Sequence, residues 1–347
     1  MVTIAYKLTP KSAFHFGREG LEQHSSSETF SSDSLFSALI ATTAQVEPES
    51  IDGVLGAFPP FTTIPALRLS SVFPIAGDLP LFPKPRLKIE MGKDDVKRGK
   101  DLKKIQYVSV GILNLLLKNA DMDKSLSEDE GRFLQDGAVW LTKAEQTSLP
   151  KRFHTLSADA LKAEKIWDEH LTPRVTIDRM NNSSNVYQTG RTIFTQGCGL
   201  WFMADVVSED VKLWLNNMLF HLADDGIGGE RSAGYGGFDF ESITVPTQPN
   251  TDSKYVMLLS RYSPTRDELV RGLFDERCAY ELVDVGGWLA TPGARAQKRQ
   301  RVRLIEVGSV IRGGTLTGQL VDVSPTHPLK HPVFRSGIAL TILVGGK

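Results

Sequence analysis

Alternation opens the chain: Ile4, Tyr6 and Leu8 fall on one face and Thr3, Ala5 and Lys7 on the other, which predicts a half-buried strand over residues 3–9. After a Gly- and Ser-rich connection, Ser31, Ser32 and Asp33 supply N-capping oxygens, with Leu35, Phe36, Leu39 and Ile40 forming an apolar helical stripe. Asp33 is read here as part of that cap. A second helix is predicted over 208–223 from the spacing of Val211, Trp214, Leu215, Met218, Leu219 and Leu222, with Ser208, Glu209 and Asp210 at its positive end. It runs into Gly226-Ile-Gly-Gly-Glu-Arg-Ser-Ala-Gly-Tyr-Gly-Gly237, and alternation resumes over 238–245. A glycine loop therefore lies between a helix and a strand.

Between 58 and 104 the text is punctuated by seven prolines, from Pro59 to Pro85, and regular structure is expected to be sparse. A basic run, Lys84 to Lys104 with interleaved acids, reads as a solvated loop. Residues 246–253 read as a linker, and strand text restarts over 254–259. The boundary placed there gives a domain over 1–247, with an insertion at about 80–190, and a second over 248–347. Short strands over 280–285, 302–307 and 338–344 with a helix over 265–273 make the second a small α+β domain.

Length and charge narrow the function. The 347 residues, 41% hydrophobic with 17 Phe, 5 Trp and 7 Tyr, are enough for one or two cores. Forty basic against 41 acidic residues give a formal charge of −1, so any anionic partner must be met by local patches. Two distant cysteines, Cys198 and Cys278, make no disulfide framework or four-cysteine zinc site, and a reducing, cytoplasmic setting is expected. No apolar run is long enough to suggest a membrane span or export signal.

Three segments carry candidate chemistry. The glycine loop fails both nucleotide templates: Arg231 stands where a dinucleotide fingerprint has its third glycine, and no Gly-Lys pair completes a Walker A sequence. Its small residues let a backbone present N–H groups to phosphate, with Arg231 adding charge and Tyr235 a stacking face; a purely conformational turn is the other reading. Residues 173–191 combine Arg174, Arg179 and Arg191 with amides, hydroxyls and Tyr187, which suits either a single RNA strand or an ordinary polar hairpin. Arg295-Ala-Gln-Lys-Arg-Gln-Arg-Val-Arg303 has five basic residues and no acid, either a solvated edge or a phosphate contact. Catalytic templates are poor. No Gly-x-Ser-x-Gly occurs, His327 and His331 sit beside prolines that work against a shared metal-binding face, and His15 and His24 could serve as acid or base in an alternative function, metal-independent endoribonuclease cleavage of RNA.

An ordered set of motifs carries a resemblance. Phe14-His-Phe-Gly17, Leu21-Glu22, Ser32-Asp-Ser-Leu-Phe-Ser-Ala-Leu39, Pro173-Arg-Val-Thr-Ile-Asp-Arg179, Ser184-Asn-Val-Tyr187, Gly190-Arg191, the glycine loop and His331-Pro-Val-Phe-Arg335 resemble the fourth subunit of the Csm complex, a RAMP protein of type III-A CRISPR interference systems. Each motif is weak alone; the order is specific, and the chain departs mainly near 82–134. The resemblance implies an α+β fold of two tandem ferredoxin-like, RRM-related domains with an inserted hairpin acting as a thumb. It implies a non-catalytic subunit in antiviral defence that caps the ribonucleoprotein and holds the repeat-derived 5′ tag of crRNA. The implied partners are the large palm-domain subunit, a backbone RAMP subunit and, indirectly, target RNA, with no cofactor and no metal. Carried onto this chain, His15, Gly228, Gly229, Arg231, Ser232 and Tyr235 would cradle the tag. Arg174, Arg179, Asn185, Tyr187 and Arg191 would grip tag or first guide nucleotides, and Arg295, Lys298, Arg299, Arg301 and Arg303 would add phosphate contacts.

Overall fold

The computed structural model describes residues 1–17, 24–87, 102–117, 131–177, 180, 183–244, 253–289, 297–314, 316–326 and 331–344. Leu21 and Glu22, most of the basic run, Arg179, most of the linker, Arg295 and His327 lie outside the described residues. In chain order, the first part holds β1 (Val2–Pro10), α1 (Ser32–Val46), α2 (Ile51–Gly56), β2 (Leu67–Leu69), β3 (Phe73–Ala76), β4 (Leu79–Pro83), β5 (Tyr107–Ser109), α3 (Val110–Leu117), β6 (Gly131–Leu134), β7 (Val139–Thr142) and α4 (Ala158–Ala163). Then come β8 (Trp167–Ile177), β9 (Ser184–Phe194), β10 (Cys198–Val206), α5 (Glu209–Asp225) and β11 (Phe238–Ile243). The C-terminal part holds β12 (Tyr255–Leu258), α6 (Arg266–Val270), β13 (Leu282–Val285), β14 (Trp288–Leu289), β15 (Gln297–Lys298), β16 (Val302–Ile305), β17 (Val310–Arg312), β18 (Gly318–Asp322), β19 (Phe334–Ile338) and β20 (Thr341–Val344).

The architecture is mixed α/β around a nine-stranded sheet in the order β11-β1-β10-β3-β4-β5-β7-β6, with β2 also paired to β10. Its pairs are antiparallel except β5 with β7. The predicted first strand lies between β11 and β10 with Tyr6 and Leu8 buried; the Tyr6 ring stacks 5.1 Å from Phe202 of β10, and its hydroxyl donates to Asn216 Oδ1 at 2.7 Å on α5. The second predicted helix is α5: the Ser208 hydroxyl accepts from the Val211 N–H, and Leu215, Met218, Leu219 and Leu222 are buried.

Three expectations need correction. The proline-rich stretch is not sparse: β3 and β4 are completely buried and form a hairpin through Gly77 and Asp78 in the middle of the sheet. With both faces covered, a strand reads as a continuous apolar run and shows no alternation, and the prolines then look like breakers. The single strand expected over 338–344 is β19 followed by β20, which pair with different neighbours, β18 and β12. The helix expected over 265–273 is only α6, opened by a capping box of Thr265 and Glu268 and followed by Gly272 at φ +82°.

One large core contains residues from both sides of the expected linker, including Leu35, Trp201 and Leu219 with Met257, Leu340 and Val344. A second, smaller cluster forms around Val256, Tyr262, Ile311 and Ala339. Among the described residues no helix is long and apolar enough to cross a membrane.

Candidate nucleic-acid interface

The segment Phe14-His-Phe-Gly17 is the spine of the site. On one side it bridges to β9, where Phe14 and Thr192 exchange backbone hydrogen bonds at 2.9 and 2.8 Å. On the other it holds the glycine loop: Gly229 N–H donates to the His15 carbonyl at 2.8 Å and Gly236 N–H to that of Ala13 at 2.9 Å. The spacing between spine and loop requires glycine. A Cβ on Gly228, at φ +90°, would lie 2.6 Å from the His15 carbonyl oxygen, and one on Gly229 would lie 2.7 Å from the His15 ring.

His15 is buried, and its Nδ1 lies 2.6 Å from the carbonyl oxygen of Gly190. A carbonyl only accepts, so Nδ1 carries the hydrogen and the ring is fixed between hairpin and loop. Arg231 and Ser232 project from a short 3-10 turn, both exposed, and Arg231 has no ion-pair partner among the described residues.

The second predicted segment is a long hairpin, β8 paired with β9 over eleven positions. Register places Thr172, Arg174 and Thr176 opposite Thr189, Tyr187 and Asn185, and Arg191 opposite His170, so these side chains share one face. Tyr235 of the glycine loop reaches that face: the Arg174 guanidinium sits 5.4 Å from its ring centroid. Burial pushes the Tyr235 hydroxyl up, but Thr172, Arg191 and Arg174 around it outweigh burial and lower its pKa. Among the described residues, the buried Nε atoms of Arg174 and Arg191 find no hydrogen-bond partner. The opposite face exposes Leu171, Val175, Ile177 and Val186.

The glycine loop also lines a cleft of about 710 Å³ between the two parts of the chain. It is lined by His15, Gly228, Gly229 and Arg231, by Ser27, Ser31, Ser34 and Ser37, and by Arg261, Val283, Trp288 and Arg335 from the C-terminal part. Two of those arginines are already engaged. Arg261 contacts Asp33 at 3.3 Å and Glu306 at 3.1 Å, and Arg335 contacts Asp33 at 3.0 Å. Asp33 is fully buried, and no side-chain cap is made at the start of α1. The reading of Asp33 as a cap is therefore corrected: it joins the two parts of the chain through ion pairs.

The structure brings His15, Gly228, Gly229 and Arg231 to the cleft, and Tyr235, Arg174, Tyr187 and Arg191 to the adjoining hairpin face. Asn185 is exposed near the hairpin tip, paired with Thr176. Of the third cluster, Lys298 lies 5.1 Å from the Trp288 ring centroid, Arg299 donates to the Gly286 carbonyl at 2.8 Å, Arg303 pairs with Asp284 at 2.8 and 3.1 Å, and Arg301 is exposed. Sequence reasoning missed Arg261, Trp288 and Arg335 as cleft residues; the Gly286-Gly287-Trp288 step beside the basic run was the available signal for the tryptophan.

The family model described as the CRISPR Csm4 C-terminal domain matches residues 251–344. The protein named CRISPR system Cms protein Csm4 from Methanocaldococcus jannaschii is 26% identical, covering 94% of this chain and 89% of the relative. Its namesake from Mycobacterium tuberculosis strain CDC 1551 is also 26% identical, covering 92% and 93%. A solved Csm3-Csm4 subcomplex of a type III-A CRISPR-Cas interference complex contains a chain of the same fold, with a TM-score of 0.68, 20% identity and coverage of 99% and 100%. A Csm1-Csm4 cassette in complex with cA4 gives a TM-score of 0.57 at 19% identity, covering 99% and 97%. With the matched C-terminal domain and near-full-length relatives, the chain is similar over nearly its whole length to Csm4 proteins of type III CRISPR complexes.

Proposed function

We propose that this chain is a non-catalytic RNA-binding subunit of a type III-A CRISPR effector complex, capping it by holding the repeat-derived 5′ tag of crRNA and docking the large palm-domain subunit and a backbone RAMP subunit. The observation that carries the reading is the meeting of two separately predicted segments, glycine loop and hairpin, on the Phe14–Gly17 spine, with Arg174, Arg191 and Arg231 lacking acidic partners among the described residues. Amide N–H groups, unneutralised guanidinium groups and a tyrosine face are the chemistry that single-stranded RNA requires. The names of the solved neighbours, Csm3-Csm4 and Csm1-Csm4, support docking to two kinds of subunit.

The finer fold reading belongs to the same proposal. The succession β1, α1, β3, β10, α5, β11 follows the β-α-β-β-α-β pattern of a ferredoxin-like unit, with β4 to β9 as the insertion. Residues 248–347 would be the second unit, with only the short α6 helical among its described residues. The hairpin of β8 and β9 would be the thumb.

Fluorescence anisotropy with tag-bearing RNA tests the binding role. Arg231→Ala is expected to weaken binding and to lower the slope of log K against log salt by about 0.7, one phosphate contact on a single strand. Unchanged affinity removes the glycine loop from the reading. Cleavage of repeat RNA by the purified protein, lost in His15→Ala or His24→Ala, would replace the scaffold with an endoribonuclease.

A further inference from the structure

We propose that Trp288 is a base-stacking residue that closes the cleft from the C-terminal side, an inference that rests on RNA occupying that cleft. Trp288 lines the same cleft as Gly228, Gly229 and Arg231 but comes from β14, in the C-terminal part of the chain. It is 62% exposed, whereas Trp140, Trp167 and Trp201 are buried and Trp214 is packed against the core.

Its backbone is fixed while its ring is open. Trp288 pairs with Lys298 in the β14 and β15 ladder, Arg299 N–H donates to the Gly287 carbonyl at 3.0 Å, and the Arg299 guanidinium donates to the Gly286 carbonyl at 2.8 Å. The Lys298 ammonium sits 5.1 Å from the ring centroid, and the side chain stays largely exposed. Arg299 thus serves as a clamp on the Gly286-Gly287 turn, and Lys298 and Trp288 form the surface offered to a ligand. A flat aromatic face beside a cation, in one cleft with a guanidinium that has no ion-pair partner among the described residues, suits a nucleotide held through base and phosphate together.

The test uses full-length protein and fluorescein-labelled single-stranded RNA carrying the repeat-derived 5′ tag, with anisotropy measured over a salt series. Stacking has no counterion term. Trp288→Ala should weaken binding about 5- to 150-fold without changing the salt slope, and Trp288→Phe should restore most of the loss. Intrinsic fluorescence of the wild type should be quenched by RNA, and the quenching should be absent in Trp288→Phe. If Arg231→Ala weakens binding but Trp288→Ala changes it less than about 2-fold, stacking is refuted while RNA binding in the cleft stands. A loss that Phe does not rescue, or that comes with a lower salt slope, also refutes stacking. If neither variant changes affinity, the cleft is not the RNA site.

Discussion

Asp33→Asn separates two readings of the most deeply buried carboxylate near the cleft. As a helix cap Asp33 would be replaced by Asn almost without cost, since the two cap about equally well. As an ion-pair hub it would not. Asp33 is fully buried between Arg261 at 3.3 Å and Arg335 at 3.0 Å, whose side chains are only 12% and 7% exposed. Two unit charges about 4 Å apart at an effective dielectric near 20 attract by about 4 kcal/mol, and desolvation offsets much of that. Removing one member leaves uncompensated buried charge, which costs about 3–5 kcal/mol. The expected result is a fall in the apparent Tm on the order of 10 °C by circular dichroism, with the same loss in urea unfolding. A loss below about 1 kcal/mol, or additivity with Arg335→Gln within about 0.5 kcal/mol, would refute the hub.

Gly228→Ala should weaken RNA binding and lower stability by about 1–3 kcal/mol, read by anisotropy and thermal melting, because φ is +90° and the new Cβ would meet the His15 carbonyl at 2.6 Å. His15→Ala should cost about 1–3 kcal/mol in urea unfolding by leaving the buried Gly190 carbonyl unpaired, while His15→Gln should recover part of it. Glu268 supplies a pH test. Burial raises its pKa, but the amides of Thr317 and Thr265 and the hydroxyls of Tyr262 and Thr265 outweigh that and hold it below the usual value. A depressed folded pKa gives stability present above the unfolded pKa of about 4.3 and lost as pH falls through the folded value. The stability gap between wild type and Glu268→Gln, measured by urea unfolding, should therefore be full near neutral pH and shrink below about pH 4; a constant gap from pH 7 to 3 contradicts it.

The elements legible in the sequence were those with one face in water. β1 and α5 announced themselves by period, and the glycine loop by composition, in the positions the structure gives them. β3 and β4 stayed hidden because covering both faces erases alternation. Of the site, the loop and the polar segment of the hairpin were legible as composition and the spine only as a motif of the resemblance, but their convergence was not. The hydrogen bond from His15 to Gly190 spans 175 residues, and the Asp33 pairs to Arg261 and Arg335 span more, so no local window contains both partners. Asp33 looked like a cap because three oxygen-bearing residues precede an apolar stripe, which is also what a buried acid at a helix start looks like in one dimension.

The ion-pair hub changes how the cleft should attract RNA. Three guanidinium groups line it, those of Arg231, Arg261 and Arg335, but Glu306 lies against Arg261 and Asp33 lies beneath both Arg261 and Arg335. Three positive charges less two negative leave one, and the group without an ion-pair partner among the described residues is Arg231. A count of cleft arginines would assign the cleft a salt slope of about 2, whereas the pairing assigns it about 0.7, the value for one single-strand phosphate contact. The same logic predicts that Asp33→Asn, in the fraction that stays folded at low temperature, binds tag RNA with a steeper salt dependence than the wild type, because it frees a cation the native protein keeps neutral. An unchanged slope in that variant, with loss of slope in Arg261→Gln instead, would mean that Arg261 meets phosphate despite its two carboxylates.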